Sequence, residues 1–365
     1  MLDLMILVGN NPRLLIATFL LFFLASCSPD SQNNYLELSG FAQGTTFNII
    51  YEDSLDRDFT NQLDSILEAF DLELSLYLDS SEISKFNGGN NHYYLSENSS
   101  YIIDCFKKSK ELYKVTNGAF NPAVYPLVDY WGFTRNNKSD FPIRQADIDS
   151  LLKITSFSDS SFFLVYDTLY DSEEQFQLSP FFCKINSKAK LDFNAIAQGF
   201  SVDVVGNYLL AKGIDNFMVE IGGEVSVKGL NPNGAPWKIG IDQPVDNSIP
   251  GENDFQCIVS LRNKALATSG NYRKYYEKNG HRYSHTINPI TGYPAENALL
   301  SVTVVTNKAA DADAYATAFM VMGYQESLVF IEAHPELDIA AYFVHYTANG
   351  NHVKLTKSME KYLVD

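Results

Sequence analysis

From residue 35 onward the hydrophobic pattern switches repeatedly between helical and strand spacing, with no regular strand–helix–strand repeat. Such interspersion favours an α+β fold, with largely antiparallel sheets and packed helices, over a doubly wound parallel sheet. A strand is expected at 45–51, followed by a helix over 60–74 whose Leu63, Ile66, Leu67, Phe70 and Leu74 recur along one stripe. Further helices are expected near 101–116, closed by Asn117-Gly118, at 146–153, and at 197–212, ended by Gly213. Strands are expected at 217–221 and 237–241, in hairpin-like runs over 256–267 and 272–277, and at 301–306 ahead of a helix carrying Asp313. With 45% hydrophobic and 13% aromatic residues, a stretch of about 330 residues buries a large core in one big domain or two lobes.

The first residues place Arg13 before an apolar run over 14–24, which ends in Leu24-Ala25-Ser26-Cys27. The run is too short to cross a bilayer comfortably as a retained helix, and small residues precede the cysteine as a cleavage site requires. The expectation is a lipoprotein signal peptide over 1–26, with Cys27 lipidated as the new N-terminus; the alternative is a plain membrane anchor. Residues 27–34 then form a polar tether, and the folded domain covers 35–365. The anchored protein is expected on the periplasmic side of the inner membrane, with the outer membrane as the alternative.

A formal net charge of −17 argues against nucleic acid as a partner. It also argues against an electrostatic grip on anionic headgroups, so attachment falls to the lipid chains. A phosphate-bearing ligand would need its charge offset locally by a metal or by backbone amides. Apart from Cys27, the cysteines are Cys105, Cys183 and Cys257. They are odd in number and lack metal-ligand spacing, so no disulfide framework is implied and buried small hydrophobes are the simpler reading.

Chemistry is concentrated in the last third. Ser284-His285-Thr286-Ile287-Asn288-Pro289-Ile290-Thr291-Gly292-Tyr293-Pro294 is a polar turn punctuated by Asn-Pro and Thr-Gly. Beyond it, Asp313 and Thr317 lie four residues apart among good helix formers. That spacing puts a carboxylate and a hydroxyl on one helical face, a pair that suits a hard cation. Asp311 points elsewhere on the same helix and is expected to be solvated or paired. In Leu191-Asp192-Phe193-Asn194-Ala195-Ile196-Ala197-Gln198-Gly199-Phe200 a strand end runs into a helix start. There Asp192 and Asn194 either belong to an anion site at the helix N-terminus or cap the helix. Gly222-Gly223 admits a ligand to the backbone or is simply a turn. Arg273, in Thr268-Ser269-Gly270-Asn271-Tyr272-Arg273, pairs with a phosphate or with a surface carboxylate.

Taken in order, these segments resemble the ApbE family of flavin transferases, the FAD:protein FMN transferases. The likeness runs through Gly44-Thr45-Thr46-Phe47, Ser75-Leu76-Tyr77 with Ser81-Glu82-Ile83-Ser84-Lys85-Phe86-Asn87, and Gly118-Ala119-Phe120-Asn121-Pro122 with 127–133. It continues through 192–203, Ile221-Gly222-Gly223-Glu224, 268–273, the His285 turn and the Asp313 helix. The resemblance implies a two-lobed α+β domain. It further implies Mg²⁺-dependent cleavage of FAD, the substrate, at its pyrophosphate, with FMN passed to a threonine or serine of an acceptor protein and AMP released. The implied acceptor is a redox-pump or other extracytoplasmic electron-transfer subunit. Gln43, Tyr77, Ala119, Phe120, Asn121, Asp192, Gln198 and Ile287 fall on FAD-contacting positions of the family. Metal ligation maps to the backbone carbonyl of Ala195 and to the side chains of Asp313 and Thr317.

The residue types fit that chemistry. Mg²⁺ takes oxygen ligands, few of them from protein, together with substrate phosphates. Tyr77 either packs on a flavin or adenine ring or belongs to the core. His285 either acts as general base toward the acceptor hydroxyl or holds the Asn288-Pro289 turn. Asn121, Asn271 and Asn288 stand where many members carry aspartate, Gln198 where lysine or glutamate is frequent, and Ala316 where some relatives are acidic. Two other readings accompany transfer: hydrolysis of FAD to FMN and AMP, and a lipid-anchored FAD-binding protein without catalysis.

Overall fold

The computed structural model describes residues 34–134, 143–170, 176–244, 255–271, 275–278, 281–347 and 350–364. The expected signal peptide, Cys27 and Arg273 lie outside the described residues. Along the chain come β1 (Tyr35–Ala42), β2 (Thr45–Glu52), α1 (Thr60–Leu74), α2 (Glu82–Gly88), β3 (His92–Tyr94) and α3 (Tyr101–Val115). A 3₁₀ turn at Pro122–Val124 leads into α4 (Tyr125–Tyr130), followed by α5 (Gln145–Leu152), β4 (Phe162–Tyr170), β5 (Phe176–Lys184) and α6 (Ala197–Ala211). Next are β6 (Phe217–Ile221), β7 (Glu224–Lys228), β8 (Trp237–Asp242), β9 (Phe255–Leu261) and β10 (Lys264–Gly270). Then come β11 (Tyr275–Lys278), β12 (His281–Ser284), β13 (Leu299–Thr306), α7 (Ala309–Met322) and α8 (Tyr324–Ala333). The chain closes with β14 (Ala340–Thr347), β15 (Gly350–Leu355), α9 (Lys357–Glu360) and β16 (Leu363–Val364).

Every strand pair among the described residues is antiparallel, as the absence of a strand–helix–strand repeat predicts. An eight-stranded sheet in the order β1-β2-β6-β7-β10-β13-β14-β15 is the backbone of the fold, and β8, β9 and β16 form a three-stranded sheet. Alternation assigns the faces. Ala265 and Ala267 of β10 and Val302 and Val304 of β13 join cores that also contain residues of α6 and α7. Their neighbours Leu266 and Val305 pack instead with Trp237, Ile239, Val259 and Leu261 of the small sheet. The large sheet is therefore a middle layer, with helices on one face and β8, β9 and β16 on the other.

The helices expected at 60–74, 101–116, 146–153 and 197–212 are α1, α3, α5 and α6. The expected run over 256–267 is two strands, because Asn263 takes a positive φ of 54° and turns the chain between β9 and β10. The first residues of the strand expected at 272–277 lie outside the described residues. α7 differs in kind from the surface helices. Ala309, Ala310, Ala312, Ala314, Ala316 and Ala318 are all buried, together with Tyr315, Phe319 and Met320. A helix that is apolar all round belongs in the interior, and its short side chains let neighbouring backbones approach closely. Cys105 and Cys183 are buried and Cys257 is half-buried, and all three are free thiols.

Candidate active site

The closest helix approach in the site joins α6 to α7. A Cβ added to Gly199 would lie 2.3 Å from the carbonyl oxygen of Ala309 and 2.8 Å from Cβ of Asp313, so only glycine fits there. At this contact the Gly199 N–H donates to Oδ2 of Asp313 at 3.1 Å. Gly199 is the third residue of α6, so its N–H is one of the orphan donors of the first turn, and the carbonyl of Ala195, ahead of the Ile196 N-cap, stands outside the helix ladder, whose first bond runs from the Phe200 N–H to the Ile196 carbonyl at 2.8 Å. The sequence expects an anion at this helix N-terminus, and the structure places Asp313's own carboxylate there.

Burial pushes the Asp313 carboxyl up from its ordinary value to about 7, while the Gly199 N–H pulls it back down. A cation beside it would restore the charged form. Thr317, one turn later on α7, has its hydroxyl 2.9 Å from Oγ of Ser269 on β10. Ala195, Asp313 and Thr317 thus offer one carbonyl, one carboxylate and one hydroxyl, all hard oxygen donors, which fits Mg²⁺ in the company of substrate phosphates and little else. Among the described residues no group of three or more His, Cys, Asp or Glu side chains could hold a metal ion. Asp311 is ion-paired with Lys108 at 2.7 Å, which is the paired state expected for it.

A polar string extends from this point toward β1 and β2. Ser201 donates to the Gln198 carbonyl at 2.7 Å and to Oε1 of Gln43 at 3.1 Å. Gln43 sits in the β1–β2 turn with a φ of 54°, and its Nε2 is buried without a hydrogen-bond partner among the described residues. A buried, unspent donor of this kind is what a bound ligand would satisfy. A Cβ at Gly222 would meet Nε2 of Gln198 at 1.8 Å, and Gly222 has a φ of +64°. The glycine therefore serves both the turn and the passage of the Gln198 side chain.

The remaining predicted residues fall into two groups. Asp192 accepts from the Asn194 N–H at 2.7 Å, closing a turn ahead of α6, and its own N–H donates to the Pro122 carbonyl at 2.7 Å. It does not cap the helix, since the N-cap position is Ile196, without a side-chain cap. Asn121 accepts from Ala123 N–H at 2.9 Å and donates to the Thr155 carbonyl at 2.7 Å. Ala119 and Phe120 are buried in the main core, so any contact they make with a ligand goes through backbone.

Farther along, Asn271 accepts from the Thr286 hydroxyl at 2.7 Å, tying the end of β10 to the His285 turn. Asn288 closes that turn by accepting from Ile290 and Thr291 N–H groups at 2.9 and 3.2 Å. Ile287 is buried with Leu127, Trp131 and Ile148. His285 is half-buried and meets the Phe133 ring edge-on, centroids 6.4 Å apart. Tyr77 is 58% exposed on the segment after α1. The bonds described above link Gln43 to Gln198 through Ser201 and hold Asp313 at the α6 N-terminus through Gly199, with Ala195 just ahead of that helix and Thr317 one turn after Asp313.

Three contributors escape sequence reasoning. Asn87 grips the Leu191 backbone from both sides, donating to its carbonyl at 2.7 Å and accepting from its N–H at 2.8 Å, which fixes the segment before Asp192; that segment is irregular, not the strand end expected from the sequence, since β5 stops at Lys184. Asp203 accepts from Ala309 and Ala310 N–H groups, both at 3.0 Å. Gly199 carries the one available signal, a glycine inside a helical run, which marks a close approach. Asp203 lies one turn from it on the same face.

This arrangement, a helix N-terminus beside a sparse oxygen cage and an unspent amide donor, is that of a protein acting on a phosphate-bearing nucleotide. The sequence model of the ApbE family matches residues 43–343, and the chain belongs to that family. It is similar to the FAD:protein FMN transferase of Vibrio cholerae, 35% identical over 327 residues covering 88% of this chain and 90% of the relative. The Haemophilus influenzae FAD:protein FMN transferase is 32% identical over 355 residues, 95% and 96% of the two chains. Among solved structures, flavin transferase ApbE from Vibrio cholerae superposes with a TM-score of 0.73 at 32% identity, covering 90% of this chain and 99% of that one. The flavinyl transferase ApbE of Pseudomonas stutzeri gives a TM-score of 0.73 at 29% identity, covering 90% and 96%.

Proposed function

We propose that this chain is an FAD:protein FMN transferase that requires Mg²⁺ and releases AMP. The observation that carries the reading is the buried Asp313 carboxylate held by the Gly199 N–H at the α6 N-terminus, with the Thr317 hydroxyl one turn later on α7 and Ala195 just ahead of the α6 N-cap. In the reaction the acceptor hydroxyl oxygen bonds to the FMN-side phosphorus, the bond from that phosphorus to the bridging oxygen breaks, and AMP leaves with that oxygen. Bound Mg²⁺ would supply charge neutralisation on the pyrophosphate and the leaving phosphate. Ala195, Asp313 and Thr317 would hold the ion, the buried Gln43 Nε2 would donate to the nucleotide, and His285 would take the proton of the acceptor hydroxyl.

The acceptor in this reading is a threonine or serine of an extracytoplasmic electron-transfer subunit, and the enzyme is held at the membrane through lipid on Cys27. The test is incubation with FAD and Mg²⁺, with and without a threonine-bearing acceptor, following AMP and acceptor mass. AMP release with a mass gain of one FMN moiety, absent without Mg²⁺, supports transfer. AMP and free FMN without a mass gain assign hydrolysis instead, and FAD bound but intact refutes the enzymatic reading.

A further inference from the structure

The start of α7 is covered by a side chain from another helix. Lys308, at its N-cap, makes no side-chain cap bond, and the orphan N–H groups of Ala309 and Ala310 are taken by the two oxygens of Asp203 on α6, each at 3.0 Å. The opposite exchange occurs one turn away, where the Gly199 N–H of α6 donates to the Asp313 carboxylate of α7 at 3.1 Å. On each helix the two contact points are four residues apart, a separation of about 6 Å along the axis. One such bond would pin a point and leave the helices free to pivot. Two of them, crossed, fix both sliding and rotation.

We propose that Asp203 is a positioning residue for the metal end of the site, because its carboxylate sets the register of α7 against α6 and thereby the placement of Asp313 at the α6 N-terminus. This inference rests on the flavin-transferase reading above. Glu73 of α1 provides a matched control. It too is a buried carboxylate accepting from the first turn of another helix, the Ile102 N–H of α3 at 2.8 Å, and α3 carries no candidate site residue.

The test compares full-length wild type, Asp203→Ala, Asp203→Asn and Glu73→Ala. Mn²⁺ titrations are followed by electron paramagnetic resonance with ADP present as a pyrophosphate lacking flavin, alongside thermal unfolding and AMP release from FAD. Asp203→Ala is expected to weaken Mn²⁺ binding roughly 10–100-fold, as loss of a ligand-orienting partner does. Asp203→Asn, which keeps one acceptor of two, is expected to fall between it and wild type, and it carries the comparison if the alanine variant does not fold. The Mg²⁺ concentration for half-maximal AMP release should rise in parallel, with KM for FAD at saturating Mg²⁺ unchanged. Glu73→Ala, which leaves the Ile102 N–H without its acceptor, should lose thermal stability yet bind Mn²⁺ as wild type does. Asp203 variants that melt earlier but bind Mn²⁺ normally would reduce Asp203 to a helix cap and overturn the proposal. So would equal weakening by Glu73→Ala, which would trace the effect to lost stability. A wild-type protein that neither binds Mn²⁺ nor releases AMP refutes the flavin-transferase reading, a result distinct from either.

Discussion

Replacing Gly199 by alanine should separate activity from stability more sharply than any other single change in the site. The added methyl would lie 2.3 Å from the Ala309 carbonyl oxygen and 2.7 Å from its carbon, both backbone atoms that cannot rotate aside. To reach van der Waals contact α6 and α7 must part by about 1 Å. Over-packing of this kind costs roughly 1–3 kcal/mol, and exchanging a helical glycine for alanine returns about 1 kcal/mol. The net loss is then at most ~2 kcal/mol, a fall in Tm of roughly 4 °C for a large domain. The same separation lengthens the 3.1 Å bond from Gly199 to Asp313 beyond hydrogen-bonding range and moves Asp313 away from the α6 N-terminus. A misplacement of about 1 Å at a reacting centre costs on the order of 100-fold in rate. AMP release from FAD, measured at a temperature where unfolding curves show the variant folded, should therefore drop about 100-fold. Wild-type turnover in a folded Gly199→Ala protein would refute the argument that this contact sets the site.

Asp313→Asn keeps the acceptor for Gly199 but removes a charge that burial disfavours, so without metal the variant should melt no lower than wild type while Mg²⁺-dependent AMP release falls ~1000-fold or more; calorimetry and a turnover assay read both. Asn87→Ala leaves the buried N–H and carbonyl of Leu191 unpaired, which should cost roughly 2–4 kcal/mol in denaturant melts. It should also raise KM for FAD more than it lowers kcat, because the segment before Asp192 loosens. Burial pushes the Glu73 carboxyl from 4.5 to about 7, opposed by N–H groups of Ile102, Tyr101 and Ser100. A raised carboxyl contributes stability in full below its unfolded value and loses it as pH rises through its folded one. Tm should thus decline between about pH 4.5 and 7, and Glu73→Gln should flatten that slope; an equal slope in the variant would exclude Glu73 as its source.

Much of this architecture is legible in the chain because local signals and tertiary packing agree. The stripe of Leu63, Leu67, Phe70 and Leu74 that marks α1 in the sequence is the stripe buried in the structure. The Asn-Pro and Thr-Gly punctuation of the His285 turn is realised in the bonds that Asn288 makes. What remains hidden is pairing across distance. Nothing local to Asn87 announces Leu191, 104 positions away, and nothing in Asp203 announces Ala309, 106 positions away. The reading of Asp192 as a helix cap fails for a related reason. Its carboxylate closes a turn with Asn194, four residues ahead of the Ile196 N-cap of α6, and a shift of a few residues is below what pattern alone resolves.

The three asparagines that replace a common aspartate bear on whether the chain is a catalyst or only a carrier. If the site had lost carboxylates from its chemistry, those amides would face the ligand with their hydrogen-bonding groups unspent. Instead, Asn121 uses both ends of its amide, and its donation to the Thr155 carbonyl is one that a carboxylate cannot make. Asn288 spends its oxygen on two backbone N–H groups of its own turn, and Asn271 spends its oxygen on the Thr286 hydroxyl. Each amide holds a segment in place, and in Asn121 the exchange from carboxylate gains a bond. The carboxylate that the proposed metal site calls for, Asp313, is present and buried where α6 and α7 touch. The amides that favoured a carrier thus have a structural role, and the proposed transferase reading keeps its metal-binding carboxylate.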